Sequence, residues 1–253
     1  EFLTFIKKNN IVVLDNYFFT TDYQKQIKNI GCILVCIDDM HDKHYVADAV
    51  INHAPGLREN QFAVENYTKL CLGLNYALLR KPFLNVIPRK RTKQKRCLIC
   101  MGGADKYNIT TNIVCLLEDI ESIELVDIII GPTFLFNEEL ENAIQKSKKM
   151  INIFSSLSSE DMVERMQIAD FGILPASSVS IEAIAVGMPL MVGYYVANQE
   201  EYYYNLTKEY SVFGIGNLLN LDSLLIDSFN NNNGSELKFS TLNLNRLFFN
   251  YAL

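Results

Sequence analysis

A two-lobed α/β protein with doubly wound parallel sheets is predicted by three observations. Short apolar runs alternate with amphipathic segments, and the runs end at polar or glycine residues. The connections between them are short, as consecutive βα units require. One basic stretch, Arg89-Lys90-Arg91-Thr92-Lys93-Gln94-Lys95-Arg96, interrupts the alternation after Pro82 and Pro88. It divides the chain into a lobe over 1–88, a linker over 89–96 and a second lobe over 97–253. The linker reads as solvated, with phosphate binding as the lesser alternative.

Taken in order, residues 1–8 read as the end of a helix, and Ile11–Leu14 as a buried strand finishing at Asp15-Asn16-Tyr17. Thr20 or Thr21 caps a helix over Thr21–Asn29, which Gly31 stops. Cys32–Ile37 forms a strand ending at Asp38-Asp39, Val46–Ile51 one ending at Asn52, and Leu70–Leu72 one ending at Gly73. Beyond the linker the alternation restarts with a strand at Arg96–Met101, the turn Gly102-Gly103-Ala104-Asp105 and a helix at Asn108–Leu117. A strand at Ile123–Ile130, a helix at Asn137–Ser147 and a strand at Met150–Phe154 follow. Ser158–Ala169 is a helix whose Ser158-x-x-Asp161 start resembles a cap. After Tyr210 the pattern weakens: Asn217–Phe229 reads as a helix, Asn230–Asn233 as a polar spacer and Thr241–Tyr251 as a closing helix.

Composition narrows the function. A net charge of −6, with no basic aromatic stripe, argues against a nucleic-acid partner. No apolar run approaches the roughly 20 residues of a membrane span. The six cysteines sit in apolar runs, where a thiol behaves as a small hydrophobe, and a cytoplasmic setting follows. Cys97-Leu98-Ile99-Cys100 spells CxxC but has no second pair and no spaced histidines, so it reads as a strand rather than a metal or redox motif. His41, His44 and His53 lack a ligand spacing, and no cofactor or metal is expected.

The stretch Ile168–Gln199, IADFGILPASSVSIEAIAVGMPLMVGYYVANQ, carries the chemistry. A strand at Phe171–Leu174 breaks at Pro175 and opens into Ala176-Ser177-Ser178. A helix then runs to Gly187, and a second apolar run, Leu190–Val196, leads into Asn198-Gln199. A small-residue turn entering a helix presents free amides and the positive dipole end to an anion. Ser177, Ser178 and Ser180 add hydroxyls, and Glu182 can accept from sugar hydroxyls. Alternatively, a serine merely caps the helix and Glu182 favours its dipole; no capping box is complete, because Val179 stands three residues before Glu182. Gly102-Gly103 suits close approach to a phosphate, although neither GxGxxG nor a Walker sequence is present.

Several stretches together resemble a known family. They are Leu98–Asp105 with Asn108; Ala176-Ser177-Ser178 through Glu182-Ala183; Gly187-Met188-Pro189; and Asn198-Gln199-Glu200. Upstream stand Asp15-Asn16-Tyr17, Asp38-Asp39, Asp48 with Asn52, and Gly73-Leu74-Asn75-Tyr76-Ala77-Leu78-Leu79-Arg80. Over about residues 11–210 this order resembles the UDP-2,4-diacetamido-2,4,6-trideoxy-β-L-altropyranose hydrolases of pseudaminic acid synthesis. These belong to the glycosyltransferase-B superfamily and are relatives of the UDP-GlcNAc transferase that makes lipid II.

The resemblance implies two Rossmann-like lobes, with UDP or a UDP-sugar bound mainly by the second. Gly103, Ser177 and Ser178 would face the diphosphate, Glu182 the ribose, and Phe154 and Met162 the uracil. Asn198 and Gln199 would contact the sugar, and Tyr17 and Asn198 would serve the reacting centre. The reaction would be hydrolysis with inversion at the anomeric carbon. The family's base is a histidine in a Gly-rich loop after the first strand of the N-terminal lobe. Nothing before Ile11 matches it, so the N-terminal lobe is expected to be incomplete, and neither His44 nor another residue is assigned as base. A UDP-sugar glycosyltransferase and a non-catalytic nucleotide-sugar-binding protein stand as alternatives.

Overall fold

The computed structural model describes residues 1–87, 95–210 and 212–221. These divide into two compact units, one ending at Leu78 and the other beginning at Leu79. The segment Leu79–Ile87 therefore packs with the second unit, although the sequence boundary was set at residue 88.

In the first unit, a single 3-10 turn at Phe2–Thr4 replaces the expected helix end. Then follow β1 (Ile11–Asp15), α1 (Thr21–Ile30), β2 (Ile33–Ile37), β3 (His44–Tyr45), β4 (Ala49–Asn52), β5 (Ala63–Val64) and β6 (Lys69–Leu72). The sheet runs β1-β2-β4-β6, all parallel, while β3 and β5 form a small parallel pair of their own. The Thr20 side chain accepts from Tyr23 N–H, and Gly31 closes α1 in the left-handed region, as the sequence predicted. On the buried face of α1, Ile27 joins Val12, Leu14, Leu34 and Val50 in the core. The alternation of β1 leaves Ile11 and Val13 exposed beside Ile33 of β2. Parallel sheets ordinarily carry cover on both faces, and among the described residues only one face of these strands has it.

The second unit opens with a 3-10 turn at Lys81–Asn85. It continues through β7 (Arg96–Ile99), α2 (Ile109–Leu117), β8 (Leu125–Ile130), α3 (Asn137–Lys146), β9 (Met150–Ser155) and α4 (Ser159–Ile168). Next come β10 (Phe171–Pro175), α5 (Ser178–Val186), β11 (Leu190–Tyr194), α6 (Ala197–Glu209) and β12 (Phe213–Asn217). The strand order is β12-β11-β10-β7-β8-β9. Counted from β7, this is the Rossmann order 3-2-1-4-5-6, whose direction reverses between β7 and β10.

Packing explains the register. β10 is buried throughout, and every residue of β11 except Tyr194 is buried, as central strands of a parallel sheet require. Asp127, fully buried in β8, accepts from Arg96 Nε of β7 at 2.7 Å and from Asn152 Nδ2 of β9 at 2.9 Å. One carboxylate thus ties three strands, and removing either donor leaves a buried charge underpaired. Ser158 caps α4 by accepting from Asp161 N–H at 3.0 Å, matching the sequence signal.

Two expectations are corrected. Residues 213–217 form a strand, with only a 3-10 turn at Leu218–Asn220 after it, where the start of a helix over Asn217–Phe229 was expected. The glycines of β12 obscured it: a Cβ at Gly214 would stand 2.5 Å from the Tyr203 hydroxyl, and Gly216 has φ +71°. The strand expected from the apolar run Leu190–Val196 ends at Tyr194, and Asn198 and Gln199, read as following that run, lie in the first turn of α6. The remainder of the expected helix beyond residue 221 and the closing helix Thr241–Tyr251 lie outside the described residues. Among the described residues, no helix is long and apolar enough to cross a membrane.

Candidate functional site

In open α/β sheets, ligands gather beyond the carboxyl ends of the strands where the strand order reverses. Here that position lies between the ends of β7 and β10, which are adjacent strands held in parallel register. It brings together the turn after β7 (Cys100–Asp105) and the turn after β10 (Ala176–Ser178). Of the residues predicted from sequence, Gly103, Ser177 and Ser178 therefore stand at the ends of neighbouring strands.

The two turns enter their helices differently. Asp105, 3% exposed and with φ +41°, accepts from Ile109 N–H at 2.9 Å and from Thr110 N–H at 2.8 Å. Its carboxylate thus occupies the positive end of α2. Ser177 sits at the N-cap of α5, but no side chain makes a capping hydrogen bond there. Ser180 N–H donates to Ser177 O at 2.9 Å, so the amides of Ser178, which is exposed, and Val179, which is half-buried, are the ones this turn leaves with its dipole for solvent or an anion. Capping by serine, the alternative left open by the sequence, is not what Ser177 does. Ser180 is not an available donor either, because its hydroxyl is buried and donates to Ser177 O at 2.7 Å.

The glycine turn is open on the side that matters. Gly102 has φ +84°, and a Cβ at either Gly102 or Gly103 would meet nothing within 4 Å. From behind, Gly103 O accepts from Thr133 Oγ1 at 2.8 Å and from Thr133 N–H at 3.3 Å. A Cβ on Gly131 would lie 2.2 Å from Gly103 O, so that position requires glycine. Sequence reasoning missed Gly131 and Thr133; the only signal was a glycine closing the apolar run of β8.

Glu182 lies on α5 one turn beyond Ser178, with its side chain 14% exposed. Its Oε1 accepts from Arg80 Nε at 2.8 Å and its Oε2 from Arg80 Nη2 at 3.0 Å, a side-on fork. The guanidinium lies 5.1 Å from the centre of the Phe83 ring, which is buried. Burial pushes the Cys100 thiol, at the end of β7, up to about 11; the Gly102 amide lowers it, the Glu182 charge adds to the rise and Arg80 opposes it. Both charges thus act at the carboxyl end of β7.

The remaining predicted residues are spread wider. Gln199 Oε1 accepts from Tyr195 N–H at 3.2 Å, and Tyr195 OH donates to Met101 O at 3.3 Å, linking the start of α6 to the β7 turn. Asn198, beside Gln199, is exposed. Phe154 stands near the end of β9, three strands from β10 and hence about 14 Å away at ordinary strand spacing. Its ring carries the Arg165 guanidinium at 5.0 Å, so α4, which also bears Met162, covers it. In the first unit, Tyr17 donates to Asp39 Oδ2 at 2.7 Å. That bond, with the Asp39 charge behind it, holds the phenol above its ordinary pKa and keeps it protonated. Among the described residues, no group of three His, Cys, Asp or Glu residues is arranged to hold a metal ion.

No protein-family profile matches the chain. An uncharacterised protein of Methanocaldococcus jannaschii is 27% identical over 213 residues, covering 81% of this chain and 44% of that protein. The UDP-2,4-diacetamido-2,4,6-trideoxy-β-L-altropyranose hydrolase of Campylobacter jejuni is 26% identical over 205 residues, covering 79% of this chain and 72% of the hydrolase. The spore coat polysaccharide biosynthesis protein SpsG of Bacillus subtilis is 24% identical over 195 residues, covering 74% of this chain and 56% of SpsG. The chain thus spans less than half of the first of these relatives and seven tenths of the second. Among solved structures, MurG of Acinetobacter baumannii aligns with a TM-score of 0.55 at 13% identity, over 86% of this chain and 64% of that one. The resemblance read from the sequence is therefore found again in a relative carrying that hydrolase's name, and in fold the chain is an α/β protein of the glycosyltransferase-B type.

Proposed function

We propose that the chain binds UDP at the β7–β10 switch point and hydrolyses a UDP-linked diacetamido-trideoxyhexose, releasing UDP and free sugar with inversion. The observation that carries this reading is the N-terminus of α5, where the Ser177 side chain makes no cap, beyond a strand adjacent to the one that ends at the open glycine turn, with Glu182 one helical turn away. The amides around Ser178 and Gly103 meet the diphosphate, and they meet it best as it departs, when its charge is greatest. Glu182 accepts from the ribose hydroxyls, Phe154 and Met162 flank the uracil, and Asn198 and Gln199 attend the sugar. Asn198 is proposed at the reacting centre, and a separate catalytic part is proposed for Tyr17, kept protonated beside Asp39. Water attacks the anomeric carbon on the face opposite the phosphate, so the configuration inverts. The similarity to the Campylobacter jejuni hydrolase supports this substrate class, and a cytoplasmic setting belongs to the same reading.

Titration calorimetry with UDP, followed by proton NMR of the protein with the UDP-sugar, tests the proposal. UDP binding together with early appearance of the inverted free sugar is the expected result. UDP release only when an acceptor alcohol is supplied, with the sugar recovered as a glycoside of that alcohol, would replace hydrolysis by glycosyl transfer. Binding without turnover would leave a nucleotide-sugar-binding protein. The Glu182→Ala variant should lose about 1–3 kcal/mol of UDP affinity; unchanged affinity would remove the ribose assignment.

A further inference from the structure

The Arg80–Glu182 pair has no place in the reading above, yet it consumes half the accepting capacity of the residue assigned to the ribose. An ionised carboxylate offers about four lone-pair directions. Arg80 Nε and Nη2 take one on each oxygen, at 2.8 and 3.0 Å. One direction on each oxygen remains, a pattern suited to two neighbouring hydroxyls.

Arg80 is itself held. Phe83 N–H donates to Arg80 O at 2.9 Å, and the Phe83 ring lies beneath the guanidinium. The 3-10 turn carrying Phe83 packs against both α4 and α5. The fork therefore joins a fixed cation to a carboxylate on α5 that is largely buried. Two parallel bonds fix the plane of the carboxylate as well as its position, which a single bond from a lysine cannot do. The pairing also offsets a negative charge one turn from the amides around Ser178, where an unpaired Glu182 would repel an incoming anion.

We infer that Arg80 is a positioning residue for nucleotide recognition: it orients Glu182 toward the ribose diol and neutralises it for the nearby diphosphate. The inference rests on the proposed UDP site, and the two roles are separable by substitution. Arg80→Lys keeps the charge and loses the fork, whereas Arg80→Gln loses both.

The test measures Kd for UDP and for 2′-deoxy-UDP with the full chain and its Arg80→Lys, Arg80→Gln and Glu182→Gln variants. Far-UV circular dichroism and Tm confirm folding, which the partial exposure of Arg80 favours. The parent should prefer UDP over 2′-deoxy-UDP about tenfold, the value of one hydrogen bond to a charged group. In Arg80→Lys this preference should fall to about twofold or less, while 2′-deoxy-UDP binds nearly as before. In Arg80→Gln both ligands should weaken, and the weakening should shrink as salt rises. Loss of the preference in Glu182→Gln but not in either Arg80 variant would overturn the positioning role and leave the ribose assignment standing. An unchanged preference in Glu182→Gln would overturn the ribose assignment, and the inference with it.

Discussion

Replacing Gly131 by alanine probes the geometry of the glycine turn from behind, without placing an atom where a ligand would lie. The added Cβ would lie 2.2 Å from Gly103 O and 2.4 and 2.5 Å from its Cα and carbonyl carbon. These are backbone atoms, and Thr133 holds the same carbonyl with two hydrogen bonds, so no side chain can yield instead. Restoring ordinary contact, near 3.4 Å, requires a displacement of about 1.2 Å (3.4 minus 2.2). Overpacking of this kind costs about 2 kcal/mol, a fall in Tm of about 4–8 °C for a protein of this size. A shift of about 1 Å in a positioning element can weaken function by about a hundredfold. Gly103→Ala is the control: its Cβ meets nothing within 4 Å, so Tm should hold while UDP binding drops about tenfold. Differential scanning calorimetry and UDP titration read both variants. A Gly131→Ala protein with parental Tm and UDP affinity would refute the tight turn, and with it the glycine turn as a phosphate seat.

Three further outcomes are expected. Asp105→Ala should lose about 2 kcal/mol in urea unfolding, because two buried amides at the start of α2 lose a charged acceptor; a change below about 0.5 kcal/mol would contradict that role. For Asp48, burial opposes ionisation, but the Lys28 ammonium and Leu34 N–H outweigh it and lower the pKa below the ordinary 3.8. A lowered carboxylate stabilises the fold above its unfolded pKa and loses that contribution as pH falls through the folded one. Asp48→Asn should therefore be less stable than the parent at neutral pH, with urea midpoints converging once the pH falls well below 3.8. Finally, Cys115 is exposed and the other five cysteines are buried. Burial lifts the Cys36 thiol to about 12 and Cys100 to about 11, so Ellman's reagent should titrate one thiol in the native protein and all six in urea.

Much of the element order in both units was legible because its signals are local. Thr20, Ser158, Gly31 and Gly187 mark helix ends through capping chemistry within a few residues, and apolar runs mark the strands. Signals that depend on distant partners were not legible. Arg80 reaches Glu182 across 102 positions, so nothing near either residue announces the pair. Asp105 read as part of a phosphate turn, yet its carboxylate bonds the amides four and five residues ahead, an arrangement that requires its left-handed backbone. β12 was hidden because its neighbours demand glycine where a strand ordinarily carries bulk: Gly214 against Tyr203, and Gly216 opposite Gly193 at a shift in register. The tyrosine-rich helix α6 lacks a clean apolar face, and its fit depends on Tyr203 and Leu206 alone being buried.

The Asp105 carboxylate also bears on which coenzymes this lobe can accept. In dinucleotide-binding enzymes with the same strand order, the pyrophosphate rests on the helix that follows the first strand. The corresponding helix here is α2, and its first amides already serve an internal anion. A nicotinamide or flavin dinucleotide seated in the usual way would have to displace that carboxylate and leave it buried beside its own phosphates, two negative charges competing for one set of amides. The first amides of α2 thus serve an internal carboxylate, whereas at the start of α5 the Ser177 side chain makes no cap.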